Sequence, residues 1–139
     1  MGHVMQGKAV IPGQAQGVAL VSDEPLSFWG GYDWQTGEIT DRRHPLSGQI
    51  AAGRVLCLPF TRGSSTTTAV LLEAIRNETA PVAILTTASD FFFALASVVA
   101  NELYTRPVPL IALERGDFAR LRTGDKVVVR MDGSVSINR

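Results

Sequence analysis

The sequence predicts an α/β domain with a parallel-strand core, enlarged by additional β-hairpins from both ends of the chain. Three observations lead there. Residues 55–58, 82–85 and 108–113 form short, nearly continuous apolar runs, the pattern of strands buried on both faces. Residues 66–77 and 90–103 lie between those runs and space their apolar side chains as helices do. The chain closes on two β-type runs around Asp132-Gly133, a dipeptide that favours a tight hairpin turn. Strands alternating with helices call for parallel neighbours joined by crossovers.

The elements follow in order. Residues 8–11 are a short apolar strand stopped by Pro12-Gly13, and residues 18–21 a second, stopped by Ser22-Asp23-Glu24-Pro25. The stretch Phe28-Trp29-Gly30-Gly31-Tyr32-Asp33-Trp34 is aromatic, glycine-rich and unlike a helix. Its paired glycines permit positive φ or the close approach of another group. Asp41-Arg42-Arg43-His44-Pro45 reads as a polar, solvated loop, a place where an anion or a partner could also bind. In the helix at 66–77, Thr68, Leu71, Leu72 and Ile75 form one stripe, with Glu73, Arg76 and Asn77 opposite. Ser89 or Asp90 can cap the second helix. There Phe92, Leu95, Ala96, Val99 and Leu103 form a face for packing on a sheet, and the Phe91-Phe92-Phe93 run belongs to the core. A type I′ turn at Asp132-Gly133 is expected to join residues 126–131 to 134–137.

Composition narrows the function. With 139 residues, 45% of them hydrophobic and 19% charged, residues 1–139 read as a single globular domain. Thirteen basic residues balance thirteen acidic ones, which argues against a protein that holds nucleic acid by phosphate attraction. The longest apolar runs, such as residues 91–96, fall far short of the roughly 20 residues that span a bilayer. No basic segment followed by an apolar core opens the chain, so a soluble, cytoplasmic protein without membrane contacts is expected. Cys57 excludes an internal disulfide and reads as a small buried hydrophobe. His3 and His44 are too few and too isolated for a histidine metal site, and Asp33 and Asp41 lack evident acid–base partners.

Most of the chemical content lies in Pro59-Phe60-Thr61-Arg62-Gly63-Ser64-Ser65-Thr66-Thr67-Thr68. A buried strand ends, a glycine turns the chain, and hydroxyl residues open a helix. Such a junction presents unpaired backbone N–H groups and the positive end of a helix dipole, which suit a carboxylate or phosphate. It also lies beyond the carboxyl end of a parallel strand, where open α/β sheets bind ligands. The same residues read as a plain helix start, with Ser64 or Ser65 as N-cap. Spacing by itself leaves both readings open. The Trp29 to Trp34 segment is equally divided between packing and lining a pocket or subunit interface.

Gly63-Ser64-Ser65 after a strand resembles the Gly-Ser-Ser of the swivelling domain in aconitase-type dehydratases. A longer resemblance, from about residue 8 to residue 137, is to the small, swivel-domain subunit of the aconitase X family. It is carried by Val21-Ser22-Asp23-Glu24-Pro25-Leu26-Ser27-Phe28-Trp29-Gly30-Gly31, Asp33-Trp34-Gln35-Thr36-Gly37-Glu38-Ile39, Ala52-Gly53-Arg54-Val55-Leu56, Arg62-Gly63-Ser64-Ser65, Val70-Leu71-Leu72-Glu73 and Thr123-Gly124-Asp125-Lys126-Val127. One departure is informative. Other aconitases continue with Arg-Glu-His where this chain has Thr66-Thr67-Thr68, so the arginine for a second carboxylate has no counterpart. That disfavours a tricarboxylate substrate and favours the X branch.

The resemblance implies a swivelling β/β/α domain of three layers and a hydro-lyase that works as a heterodimer. It implies that Ser64 is the base removing a proton next to a carboxylate. Arg62, Gly63, Ser65 and Thr66 would hold the anionic substrate, and Ser65 would also cap the helix. Family members use an iron or iron–sulfur centre held by cysteines. Cys57 cannot supply that set, so no cofactor is expected in this chain; the centre would sit on a cysteine-bearing large subunit, with the active site at the interface. The implied substrate is a small hydroxy acid, cis-3-hydroxy-L-proline foremost, with phosphomevalonate as the alternative. A non-catalytic assembly module of the same fold is the other alternative. The mobile phosphohistidine domain of phosphoenolpyruvate-utilising enzymes also has a similar pattern, but its phosphoryl-accepting histidine is replaced here by the Thr66 to Thr68 run.

Overall fold

A computed structural model describes residues 3–28, 30–60, 65–87, 91–104 and 107–138; for residues 65, 66, 91–93, 103 and 104 it describes the backbone alone. In chain order the elements are β1 (His3–Gln6), β2 (Lys8–Ile11), β3 (Ala15–Val21), β4 (Val55–Cys57), α1 (Ser65–Arg76), β5 (Ala83–Thr86), α2 (Phe91–Tyr104), β6 (Leu110–Ala112), α3 (Arg115–Phe118), β7 (Lys126–Val129) and β8 (Ser134–Asn138). The strands are ordered β1-β8-β7-β3-β4-β5-β6-β2. The three apolar runs expected to be neighbours, β4, β5 and β6, are adjacent and parallel, and β3 joins them in parallel at one side.

The sheet folds over on itself at two places. The first half of β3 pairs with β7 from Ala15 to Val18, and its second half pairs with β4 from Ala19 to Val21. Thr123-Gly124-Asp125 seats this crossing: Ala19 N–H donates to Asp125 O at 2.8 Å, and Gly124 N–H donates to Ala19 O at 3.0 Å. On the far side, β1 and β2 are consecutive, yet β1 pairs with β8 and β2 with β6. Two β layers result, with α1 and α2 as the third layer.

Alternation along each parallel strand divides the core. Val55 and Cys57, Ala83 and Leu85, and Ile111 point between the two β layers, where they meet Val127, Val129, Val135 and Ile137. Leu56, Leu58, Ile84 and Leu110 point the other way, to Val70, Leu71 and Ala74 of α1 and to Ala96 and Ala100 of α2. Burial on both faces is why these strands read as unbroken apolar runs. Residues 22–54, which connect the parallel neighbours β3 and β4, stand in for a crossover helix. Their Leu26, Phe28, Tyr32, Ile39, Leu46 and Ala51 join the same helix-side core.

Several details depart from expectation. The buried arc of α1 is Thr67, Val70, Leu71, Ala74 and Ile75, with Thr68 and Leu72 at its flank. Strand residues Leu56, Leu58 and Ile84 share the core with this helix and α2 packs along it, so its buried face is set by two neighbours. Among the described side chains of α2 the buried ones are Ala96, Ser97 and Ala100, while Leu95 and Val98 are exposed. Small side chains on the inner face let the helix approach closely and leave the larger ones outside. Ser97 compensates its burial by donating to Val108 O at 2.7 Å and accepting Val108 N–H at 2.8 Å. Phe91, Phe92, Phe93 and Leu103 lie outside the described side chains, as Ser89 and Asp90 lie outside the described residues. Strand β1 and the short α3 carried no recognised signal.

The terminal hairpin is real, but its turn is not type I′. Gly133 N–H donates to Arg130 O at 3.0 Å, and Arg130 N–H donates to Ser134 O at 3.0 Å. Only Gly133 takes a left-handed φ, of 85°. That is a type I turn followed by a bulged glycine. Asp132 keeps a negative φ, and its carboxylate accepts the Ser134 N–H at 2.9 Å.

Candidate active site at the carboxyl ends of the parallel strands

Register places the ends of four parallel strands at one edge, with Val21 beside Cys57, Cys57 beside Leu85, and Leu85 beside Ile111. Backbone bonds extend the order past the strands. Ser22 N–H donates to Cys57 O at 3.0 Å, Leu58 N–H to Leu85 O at 3.0 Å, and Leu113 N–H to Thr86 O at 2.7 Å. The Pro59 carbonyl, where β4 departs toward α1, accepts both the Thr86 and the Thr87 hydroxyls at 2.8 Å. Thr87 N–H adds a third bond to it at 3.2 Å. Two chain exits are thereby tied together, one leading to α1 and one to α2. Connectivity puts both helix N-termini, with their positive dipole ends, at this edge.

The predicted residues map onto this edge unevenly. Ser65 and Thr66 form the first backbone positions of α1, so the helix begins one residue before the expected 66–77 and takes in the residue expected to cap it. Arg62, Gly63 and Ser64 fall between β4 and α1 and lie outside the described residues. The cap assigned to Ser65 rests on a side chain that also lies outside them.

A second wall rises from residues 22–28 and 41–46. Ser22 is buried and closes a turn, its Oγ accepting Glu24 N–H at 3.0 Å and donating to Glu24 O at 3.1 Å. The loop reading of His44 needs correction: only 7% of this side chain is exposed. Its Nδ1 accepts the Leu46 N–H at 3.1 Å, which leaves the ring proton on Nε2 to donate to Glu24 O at 3.3 Å. The imidazole pins one loop to the other. Arg42 and Arg43 are exposed, as the loop reading had them. Asp33 and Asp41 each accept a backbone N–H two residues on, from Gln35 at 2.8 Å and Arg43 at 3.0 Å. Those are turn-making roles.

The aromatic, glycine-rich stretch packs inward. Phe28 and Tyr32 stack with centroids 4.8 Å apart, and the Tyr32 hydroxyl donates to Thr79 O at 2.7 Å. Burial pushes the Tyr32 phenol up from its ordinary range. Gly30 uses its freedom for a φ of 76°, whereas a Cβ on Gly31 would collide with the Ser27 carbonyl oxygen. Trp34 is 37% exposed, and Trp29 lies outside the described residues.

Nothing in the described part of the chain fits an iron–sulfur centre. No group of three or more His, Cys, Asp or Glu among the described residues could hold a metal ion. Cys57 is fully buried, and that burial, reinforced by the nearby Asp125 charge, pushes its thiol far up. A neutral thiol in an apolar strand is neither ligand nor nucleophile.

Sequence reasoning missed Ser22, His44 and the Thr86–Thr87 pair as organisers of this edge. A Ser-Asp-Glu-Pro turn signal marked the first. Nothing periodic marks a loop histidine whose partners are backbone groups.

Fold and edge together define a β/β/α domain of the α/β class, with the connections from strands to helices at the carboxyl end of its parallel strands. Residues 4–137 match the aconitase X swivel domain, and the chain belongs to that family. It is 43% identical over 129 residues to a cis-3-hydroxy-L-proline dehydratase from Pseudomonas aeruginosa, covering 88% of this chain and 22% of that protein. The chain thus spans about a fifth of that relative's length. It is 32% identical over 134 residues to a phosphomevalonate dehydratase small subunit from Thermococcus gammatolerans, covering 96% of each. The crystal structure of Thermococcus kodakaraensis aconitase X in its holo-form superposes with a TM-score of 0.87 at 32% identity, covering 99% of both chains.

Proposed function

We propose that this chain is the small subunit of an aconitase X-type hydro-lyase that removes water from cis-3-hydroxy-L-proline or a closely similar hydroxy acid. It acts with a cysteine-bearing large subunit in the cytoplasm, and the active site forms where the two meet. One observation carries this reading: the family match spans residues 4–137, nearly the whole chain. The 43% identity to the Pseudomonas aeruginosa hydroxyproline enzyme, against 32% to the Thermococcus gammatolerans phosphomevalonate subunit, is the support for putting the first substrate ahead of the second. No helix among the described residues is long and apolar enough to cross a membrane.

In this reading Ser64 is the catalytic residue. Its alkoxide takes the proton from the carbon beside the carboxylate, the electron pair forms the new double bond, and the hydroxyl on the next carbon leaves with its bonding pair. Backbone N–H groups opening α1, with Arg62, Gly63, Ser65 and Thr66, hold the substrate anion. A serine is a weak base in water, so the large subunit must close the site from solvent. The iron or iron–sulfur centre of the family would belong on that subunit, since Cys57 is the single cysteine of this sequence.

The test is co-expression with the large subunit under anaerobic conditions, followed by assay of water loss from cis-3-hydroxy-L-proline and from phosphomevalonate. Ser64→Ala should abolish turnover while leaving assembly intact. Near-normal turnover by that variant would move the base to the partner.

A further inference from the structure

Pro59 stands two residues past β4, where the chain sets out for α1. Having no N–H, it cannot continue the ladder that Leu58 makes by donating to Leu85 O. Its carbonyl is held instead from the neighbouring strand, by the Thr86 and Thr87 hydroxyls at 2.8 Å each and by the Thr87 N–H at 3.2 Å. One donor satisfies a buried carbonyl, which has two lone pairs to offer. Three donors exceed that need and fix the direction of the group as well. Apolar packing contributes little at the next residue, because Phe60 is 48% exposed.

This clamp bears on the reaction through the chain that follows it. Residues 61–64 connect Phe60 to Ser65, whose backbone opens α1. Ser64 is joined to Ser65 by one peptide link, about 3.8 Å between Cα atoms. The proposed base is therefore bracketed along the chain by two anchors, the Pro59 carbonyl before it and the first turn of α1 after it. Thr87 also stands at the exit of β5 toward α2, so its bond sets one strand exit against the other. Placement of a base shows directly in the rate: a displacement of about 1 Å, caused by a change away from the chemistry, can cost on the order of a hundredfold.

We infer that Thr86 and Thr87 are positioning residues for the dehydration, their hydroxyls aiming the connection from β4 to α1 so that Ser64 meets the substrate in one orientation. The inference rests on the dehydratase reading above. Both threonines act through the Pro59 carbonyl.

The experiment compares Thr87→Val, the double variant Thr86→Val with Thr87→Val, and Thr87→Ser in the assembled two-subunit complex. Valine keeps the branched shape and the strand preference while removing the hydroxyl. Thr87→Val should lower kcat for cis-3-hydroxy-L-proline about tenfold with KM within about threefold, and the double variant should lower kcat further. Thr87→Ser restores the donor and should return kcat to within about threefold of the parent. In the 139-residue chain, the carbon-13 resonance of the Pro59 carbonyl should move in Thr87→Val and return in Thr87→Ser. A kcat within about twofold of the parent in the double variant would overturn the inference. So would equal losses in Thr87→Val and Thr87→Ser. If the parent complex dehydrates neither hydroxy acid, the dehydratase reading falls; the Pro59 resonance then decides the clamp by itself, and an unchanged resonance in Thr87→Val overturns it.

Discussion

Ser97→Ala should be among the most damaging single-atom deletions in this domain, because one hydroxyl satisfies two buried backbone groups. Ser97 is 1% exposed, and its Oγ bonds both the carbonyl (2.7 Å) and the N–H (2.8 Å) of Val108, itself buried just before β6. Alanine leaves that carbonyl and N–H without partners in a region closed to water. Each orphaned group costs about 1–3 kcal/mol, so the sum is about 2–4 kcal/mol after relaxation. Against a total stability of about 5–15 kcal/mol, that is a large fraction. With a urea slope of about 1.5 kcal/mol/M, the unfolding midpoint should fall by roughly 2 M with no change in slope. Ser136→Ala is the matched control. That hydroxyl accepts from Arg130 Nη1 at 2.6 Å at an exposed position, and its loss should cost less than about 0.5 kcal/mol. If Ser97→Ala also costs under about 0.5 kcal/mol, burial and double satisfaction are not what hold α2 to β6.

Other expectations follow from the same geometry. Gly31→Ala should lower stability by about 2–4 kcal/mol, since its Cβ meets a backbone carbonyl that cannot swing aside, while Gly30→Ala should cost about 1 kcal/mol for its left-handed φ alone. Paired thermal melts check this, and equal losses would refute it. Cys57 should resist thiol reagents in the native chain at pH 8 and react at the rate of global unfolding. Because folding raises its thiol, the stabilisation is complete below the ordinary thiol range and falls progressively as pH rises above about 8.5; Cys57→Ala should flatten that decline. The Ser134 backbone N–H holds Asp132 below the ordinary carboxylate range, so its contribution is present above that range and lost as pH falls below about 4. Asp132→Asn should make acid unfolding shallower, and an unchanged acid limb would contradict the bond's role.

Legibility followed the kind of interaction. Continuous apolar runs at β4, β5 and β6 announced strands buried on both faces, and their neighbouring, parallel arrangement followed from the helices between them. Gly30 and Gly31 were flagged for positive φ or close approach, and each uses one of the two. The helix-side faces were less legible. Leu95 was expected inside and is exposed, because Ala96 and Ala100 allow the closer packing and hydropathy alone does not register that. Within the candidate site, the junction at Ser65 and Thr66 was visible as a strand–glycine–hydroxyl pattern. His44 was read as part of a solvated loop.

By itself, then, the sequence determined what local chemistry can encode: which runs are buried, where the chain turns, where a strand gives way to a helix that opens on hydroxyl residues, and that Cys57 is a core residue. Tertiary structure decided what depends on contacts between distant residues. It split β3 between two layers, because Val18 and Ala19 find partners about a hundred residues away on one side and in β4 on the other. It buried His44 by giving both ring nitrogens backbone partners, at Glu24 and Leu46. It also gathered Glu24, Asp41 and Arg43 around one recess. A one-dimensional pattern records the preference of each residue for water or interior; it does not record which distant carbonyl, hydroxyl or charge will stand beside it once the sheet closes.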